Sequence, residues 1–395
     1  MRNVSRGCFV ALLTAHCAGM IDMVALPVWV GALIGWYGFD PQQAGLLATL
    51  FLAGQVTSSL FFAPRFGRFP VRWAAVTGFM IAALAFVGVS VVRAYPLLAA
   101  FHLIGGLGAG CALSMTHGLV GRSANPHRLF AYAGFALGIL GIVILGGGPK
   151  LVAASGAPIL FLLFGGVMIV AMLAVAGVYP RAVAARTPES ADGVRLSSRV
   201  WFGMLGMGCL ALANAMIFSF AERIGIDRGY GVEAVSRVLM VTGLVNLLPP
   251  VLAAWLQRRL PAERVVFTGP FVYAALAVTI TQSDIYIAYA VAVALVIGVM
   301  IFTHTFLFGL LARLDPSGRA TAATPAMLMI GSASGPLIGG TLVKLAGYSA
   351  LGYAVGAVCV LSVLCFWRLQ QRGLPELAPS VAGDTGASGF HSDLD

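Results

Sequence analysis

Twelve apolar stretches follow one another along a chain of 395 residues, most of them near the roughly 20 residues that one helical crossing of a bilayer needs. They run over 8–36, 43–63, 72–92, 96–120, 129–149, 158–179, 201–222, 233–256, 265–281, 285–311, 321–345 and 349–368. Hydrophobic residues make up 59% of the chain and charged ones 10%, against roughly 45–50% and 25% in soluble domains. No water-soluble fold covers that much apolar surface. Within a bilayer every backbone polar group must be bonded inside the protein, and the stretches lack the roughly 10-residue alternation of an outer-membrane barrel. The expected fold is therefore an all-α integral membrane protein of twelve transmembrane helices. On these boundaries a single acidic side chain, Asp22, falls in the interior of a stretch.

Basic residues set the expected orientation. Eighteen of the 24 lysines and arginines lie in the loops and tails that share a side with the amino terminus, so the positive-inside rule places both termini in the cytoplasm. The same bias accounts for the net charge of +10 without nucleic acid, whose binding surfaces need basic and aromatic residues clustered on a soluble face. The six cysteines (Cys8, Cys17, Cys111, Cys209, Cys359 and Cys365) sit in or at the edge of spans with no metal-ligand spacing, and are read as small packing residues. Arg2 and Arg6 before an apolar run imitate a signal peptide, but the run continues to about Trp36, beyond an h-region of roughly 7–15 residues, so it is read as the first span.

The chain divides at its centre. Residues 180–200 form the longest polar interruption between spans, with six spans on either side. The division predicts an amino-terminal bundle over 1–179, a cytoplasmic linker over 180–200 and a second bundle over 201–370. The Gly/Ser-rich tail at 371–395 is expected to be disordered. A repeat supports it: Arg68-Phe69-Pro70 with Thr77-Gly78 recurs 191 residues on as Arg259-Leu260-Pro261 with Thr268-Gly269. At the same offset Gln55 matches Asn246, an amide inside the second and eighth spans. Two such halves imply a site between them near the midplane, reached from each side in turn.

With these features the chain resembles the major facilitator superfamily of secondary transporters. The family's loop motif between spans two and three, G-x-x-x-D-R-x-G-R-R, is matched by Arg65, Gly67 and Arg68, while Leu60 and Pro64 replace its glycine and aspartate. In the family that aspartate pairs across the cytoplasmic gate, so this chain must latch there by other means. The span-four pattern R-x-x-x-G-x-G-x-G appears as His102, Gly106, Gly108 and Gly110. The antiporter signature appears as Gly331, Gly335, Pro336, Gly339 and Gly340, but in span eleven; in span five its proline position is Ile139. The resemblance implies two pseudo-symmetric six-helix bundles in the inner membrane of a bacterial cell, working as a monomer.

Asp22 is the first candidate for chemistry. A charge near the bilayer centre costs roughly 2.5–3.5 kcal/mol and by default faces a cavity or partner. Asp22 lies about 21 Å along its helix, too deep to snorkel, and Pro27 cannot donate to the carbonyl of Met23, leaving a backbone acceptor nearby. Such a carboxyl suits proton coupling; the plain alternative is a protonated aspartic acid bonded to a neighbouring helix. His102 and His304, on helices that line the cavity in this family, join it as titratable candidates, against the alternative of satisfied interior histidines. His16 lies off the Asp22 face, and His117 and His127 are read as solvated near the end of span four. The only lysines, Lys150 and Lys344, each end the fifth helix of a half, where they either draw an anionic solute into a funnel or snorkel at the membrane edge. Gln55, Asn214 and Asn246 supply amides at depth, as solute contacts or as glue between helices. The glycines of spans four and eleven are read as packing surfaces on which helices approach and slide.

No Walker motif, nucleophile elbow or metal cluster occurs in the sequence, so an ATP-driven pump and an enzyme are not expected, nor any cofactor. The expected activity is proton-coupled uptake of a small organic solute, anionic or aromatic, by alternating access. Two other readings are an exporter of drugs or metabolites on the same fold and a transport-inactive receptor or assembly factor. Expected partners are the solute, protons and the bilayer.

Overall fold

The computed structural model describes residues 5–123, 126–180, 197–314 and 319–371. The body of the expected linker and all but the first residue of the expected tail lie outside the described residues. Within them the secondary structure is helical, with no strand. Eleven helices are long and apolar enough to cross a bilayer. The last, Leu328–Gln370, has 43 residues, twice what one crossing needs. It is divided at Gly347, whose φ of 76° no other residue adopts easily, so it crosses twice and the crossings number twelve.

Spans two to six are Pro41–Phe62, Val71–Val91, Tyr95–Gly121, Pro126–Ser155 and Ala157–Val178; spans nine and ten are Ala262–Gln282 and Tyr286–Leu314. Three spans are interrupted. Span one consists of Arg6–Gly19 and Ile21–Gly35, span seven of Ser198–Phe218 and Ala221–Asp227, and span eight of Val232–Val245 and Leu248–Leu256. The break in span one falls at Met20, before Pro27, where φ −114° and ψ 20° leave the helical region.

The two bundles repeat each other down to their caps and turns. Ser5 and Ser197 accept from the N–H of Cys8 and Val200 and so start spans one and seven. Gly38 and Gly229, 191 residues apart, take φ 71° and 78° where the first helix of each bundle turns to the second. Gly156 and Gly347, again 191 apart, take φ 83° and 76° between the fifth and sixth. In the amino-terminal bundle the fully buried Trp29 gathers Phe51, Phe86, Phe161 and Phe164 at centroid distances of 5.0–6.0 Å; Tyr273, Tyr289 and Phe366 are fully buried in the other.

The face on which span one begins is the near face, and the one on which it ends is the far face. On the far face the bundles press together. Gly45 of span two takes the backbone of Pro336 in span eleven, and Gly340 takes that of Pro41. Gly243 of span eight takes Ile142 of span five, and Gly146 takes Met240. The N–H of Leu337 donates to Thr49 Oγ1 across the same seam at 3.1 Å. Far-face closure is thus built from glycines, of which Gly45, Gly243 and Gly340 admit backbone and Gly146 the side chain of Met240.

Candidate functional site

The break in span one places Asp22 in the first turn of the second half-helix, beside the N–H groups that a helix start leaves unbonded. It also frees the carbonyl of Gly19. Gln55 of span two answers both: its Nε2 donates to Gly19 O and reaches Asp22 Oδ1 at 3.3 Å. Asp22 is 4% exposed and Gln55 2%. Gln55 is carried there by glycine packing, because Gly106 and Gly110 of span four lie against the backbones of Phe51 and Gln55 themselves. The two polar residues singled out in spans one and two therefore form one buried unit. It joins a carboxyl to an amide that donates toward it.

His102 is placed elsewhere. Its Nδ1 donates to Leu98 O at 2.7 Å and its Nε2 accepts from Trp29 Nε1 at 3.1 Å, within the aromatic cluster and 1% exposed. Both nitrogens are occupied inside one bundle, as in a framework residue. His304 packs edge-on to Phe308 at 4.2 Å, and its Nε2 is buried without a partner. His117 is not the solvated residue expected: it bonds His16 at 3.0 Å between ring nitrogens and packs on Phe130. His16 thus meets span four while Asp22 meets span two, in keeping with its place off the Asp22 face. The side chain of His127 lies outside the described residues.

Asn214 accepts from the hydroxyl of Tyr273 at 3.2 Å. Asn246 caps the break in span eight and its Oδ1 is buried without a partner. Each lysine meets an acid of the opposite bundle: Lys150 Nζ lies 2.8 Å from Glu233, and Lys344 Nζ lies 2.9 Å from Asp40 and 3.2 Å from Gln42. In this conformation their charge is matched, and the pairs bridge the far-face seam. Arg65, Gly67 and Arg68 form a turn of 3₁₀ helix, Ala63–Arg68. Phe66 of that turn fills the space beside Gly118, under the guanidinium of Arg122 at 4.7 Å, so an aromatic anchors the turn. In span four Gly108 lies on Gly78 of span three; in span eleven Gly331, Gly335 and Gly339 lie on span seven, while Pro336 and Gly340 lie on span two.

The profile of the Major Facilitator Superfamily matches residues 11–324. The chain belongs to that superfamily. Membership makes it a multi-pass membrane transporter. A solved variant of the nucleoside transporter NupG superposes with a TM-score of 0.73 over 92% of this chain and 100% of its own, at 11% identity. That likeness establishes the fold shared with NupG. No curated protein sequence matches the chain.

One buried acid escaped the sequence reading. Glu222 is the last residue of the apolar stretch 201–222 and so does not count as interior on those boundaries. Span seven in fact continues to Asp227, and Glu222 lies inside it, 9% exposed. The statement that Asp22 is the only interior acid is corrected accordingly. Length is no signal for it, because the stretch 201–222 already suffices for one crossing of about 20 residues.

An apolar groove of about 930 Å³ is lined by residues of spans one, five and six, among them Leu13, Ile139, Leu140, Leu162 and Val170. It belongs to one bundle and contains none of the candidate polar residues.

Proposed function

We propose that the chain is a proton-coupled importer of a small organic solute, with Asp22 as the coupling residue and the far face as the outer one. The observation that carries this is the Asp22–Gln55 unit at the break in span one. The break supplies unbonded backbone groups and the carboxyl sits at depth, as in discontinuous spans at transporter midplanes. Protonation weakens Asp22 as an acceptor for Gln55, so part of the grip of span two on span one depends on the proton. The basic bias of the loops supports a cytoplasmic near face. The structure with its far face closed then corresponds to the inward-facing member of an alternating pair.

The lysines modify the reading of the solute. With each matched to an acid, the argument for an anion loses its support in this state. The aromatic and amide character of the spans favours an uncharged or aromatic solute. A nucleoside, the class named for NupG, is one such compound and belongs in the first panel tested. Linkers, tail and bundle boundaries are read as in the sequence: 1–179, 180–200, 201–370 and 371–395.

Asp22→Asn keeps size and hydrogen bonding but cannot titrate. In liposomes it is expected to lose accumulation driven by a pH gradient while retaining solute exchange. Full gradient-driven accumulation by this variant would remove Asp22 from coupling. A solute expelled from right-side-out vesicles on acidification outside would instead identify the exporter.

A further inference from the structure

We propose that Glu222 is a second proton-binding residue, seated between the two bundles at the far face, which holds its proton while that face is closed and exchanges it with water when the face opens. The proposal extends the proton-coupled reading but does not depend on Asp22.

The repeat locates this carboxyl on the seam. Glu222 stands 191 residues after Gly31, the same offset that relates the paired turns at Gly38 and Gly229. Glu222 and Gly31 are therefore equivalent positions of the two bundles, and they meet: the carboxyl oxygens of Glu222 occupy the space a side chain at Gly31 would fill. Where one bundle carries an acid the other carries no side chain, and closure of the seam buries the acid against backbone.

Among the described residues no ion pair or hydrogen bond offsets that burial, and the adjacent charge of Arg223, which acts on the carboxyl, does so only in part. Glu222 Oε2 is buried with no hydrogen-bond partner. Arg223 is engaged by Asp227 at 2.7 Å, and Tyr348 donates to the same aspartate at 2.6 Å. Arg228 donates to the carbonyls of Ile280, Thr281 and Ser283, with Asp284 at 3.9 Å. The hydroxyl of Tyr289 in span ten donates to Ala221 O at 2.6 Å, and Tyr286 to Ala234 O. On span eight Glu233 is held by Lys150, and Arg237 acts on Glu233. On span one the other acid is Asp22, about 13 Å further toward the near face at 1.5 Å per residue. An ionised, unpartnered carboxylate in such a place is strongly unfavourable, so closure selects the neutral acid. Parting the seam withdraws Gly31 and admits water, and the proton returns to that water as the carboxylate forms. Protons on the far side thereby favour closure, by linkage between binding and conformation.

The test uses the full chain in lipid nanodiscs. Infrared difference spectra between acid and alkaline pH should contain a protonated-carboxyl band that Glu222→Gln removes and Asp22→Asn leaves in place. Spin labels at Arg93→Cys and Asp284→Cys, in a background without the six native cysteines, should report a far-face distance that lengthens with rising pH. Glu222→Gln should hold that distance short at every pH. Gly31→Ala, which intrudes on the carboxyl, should lengthen it even in acid, and carries the test if Glu222→Gln fails to assemble. A band insensitive to Glu222→Gln, or the same pH response in that variant as in the parent, overturns the proposal. A band lost only in Asp22→Asn overturns it too, while leaving the coupling role of Asp22 standing.

Discussion

For His102 the residue type leaves two readings open, a proton relay and a framework histidine. A histidine deep in a transporter invites a proton-relay reading, yet its two nitrogens are filled by Leu98 O and the Trp29 N–H. Removing it strands a buried indole N–H, a loss of about 1–3 kcal/mol, and leaves a gap beside Trp29 and Phe161. His102→Ala is therefore expected to lower the thermal transition of the purified protein while leaving the pH profile of residual uptake unchanged; a displaced pH profile would return His102 to the coupling pathway. Asp22 and Gln55 were each legible in the sequence, one as a charge inside an apolar stretch and the other through the 191-residue repeat. Their contact was not, because it depends on a carbonyl freed at a break that no proline marks. Glu222 was hidden for a related reason: its neighbours Arg223 and Asp227 pair with each other, which permits a helix turn in the membrane that counts as loop when residues are tallied singly.

At the scale of the helix, glycine decides which spans meet and how deeply. Gly106 and Gly110 bring the backbone of span two against span four and so aim Gln55 at Gly19 and Asp22. A methyl at Gly106 collides with the backbone of Phe51, which cannot rotate away as a side chain could. Gly106→Ala is expected to cost about 1–3 kcal/mol by overpacking and to reduce uptake by displacing Gln55, whereas Gly147→Ala, with nothing near its added methyl, should be tolerated in both assays. Equal losses from the two variants would show that helix propensity or expression, not close packing, sets the outcome. The same logic separates what the sequence shows of each element from what it hides. The glycine runs of spans four and eleven were visible as strings, and one helix surface of span eleven (Gly331, Gly335, Gly339) indeed differs in partner from the next (Pro336, Gly340). Their partners, spans seven and two, depend on the folded arrangement and have no local signal.

For the whole molecule the question is what holds the far face shut, and the two lysine–acid pairs are a charged part of it. Lys150–Glu233 and Lys344–Asp40 stand at related positions of the two bundles, each joining the end of a fifth helix to the start of a second helix across the seam. Burial works against the charge of Asp40, but the N–H of Gln43, the hydrogen bond from Lys344 and the lysine's charge together hold its carboxyl below the usual range. A carboxylate with a lowered folded-state pKa keeps its contribution above its ordinary pKa and loses it only as pH falls through the lowered one. The Lys344–Asp40 pair thus persists near neutrality, and a pH-dependent opening there must come from another group. Exposed pairs are worth about 0.2–1 kcal/mol each, so Lys344→Gln should shift the closed-to-open ratio by at most about five-fold, measured by the same spin-label distance. Lys344→Asp should open the face further by repelling Asp40, and adding Asp40→Lys should restore closure. A reversed pair that fails to restore it would deny the latch. If neutral lysine variants instead raise the half-saturation concentration and flatten its dependence on salt, with the far-face distance unmoved, the lysines recruit an anion, and the solute is then charged.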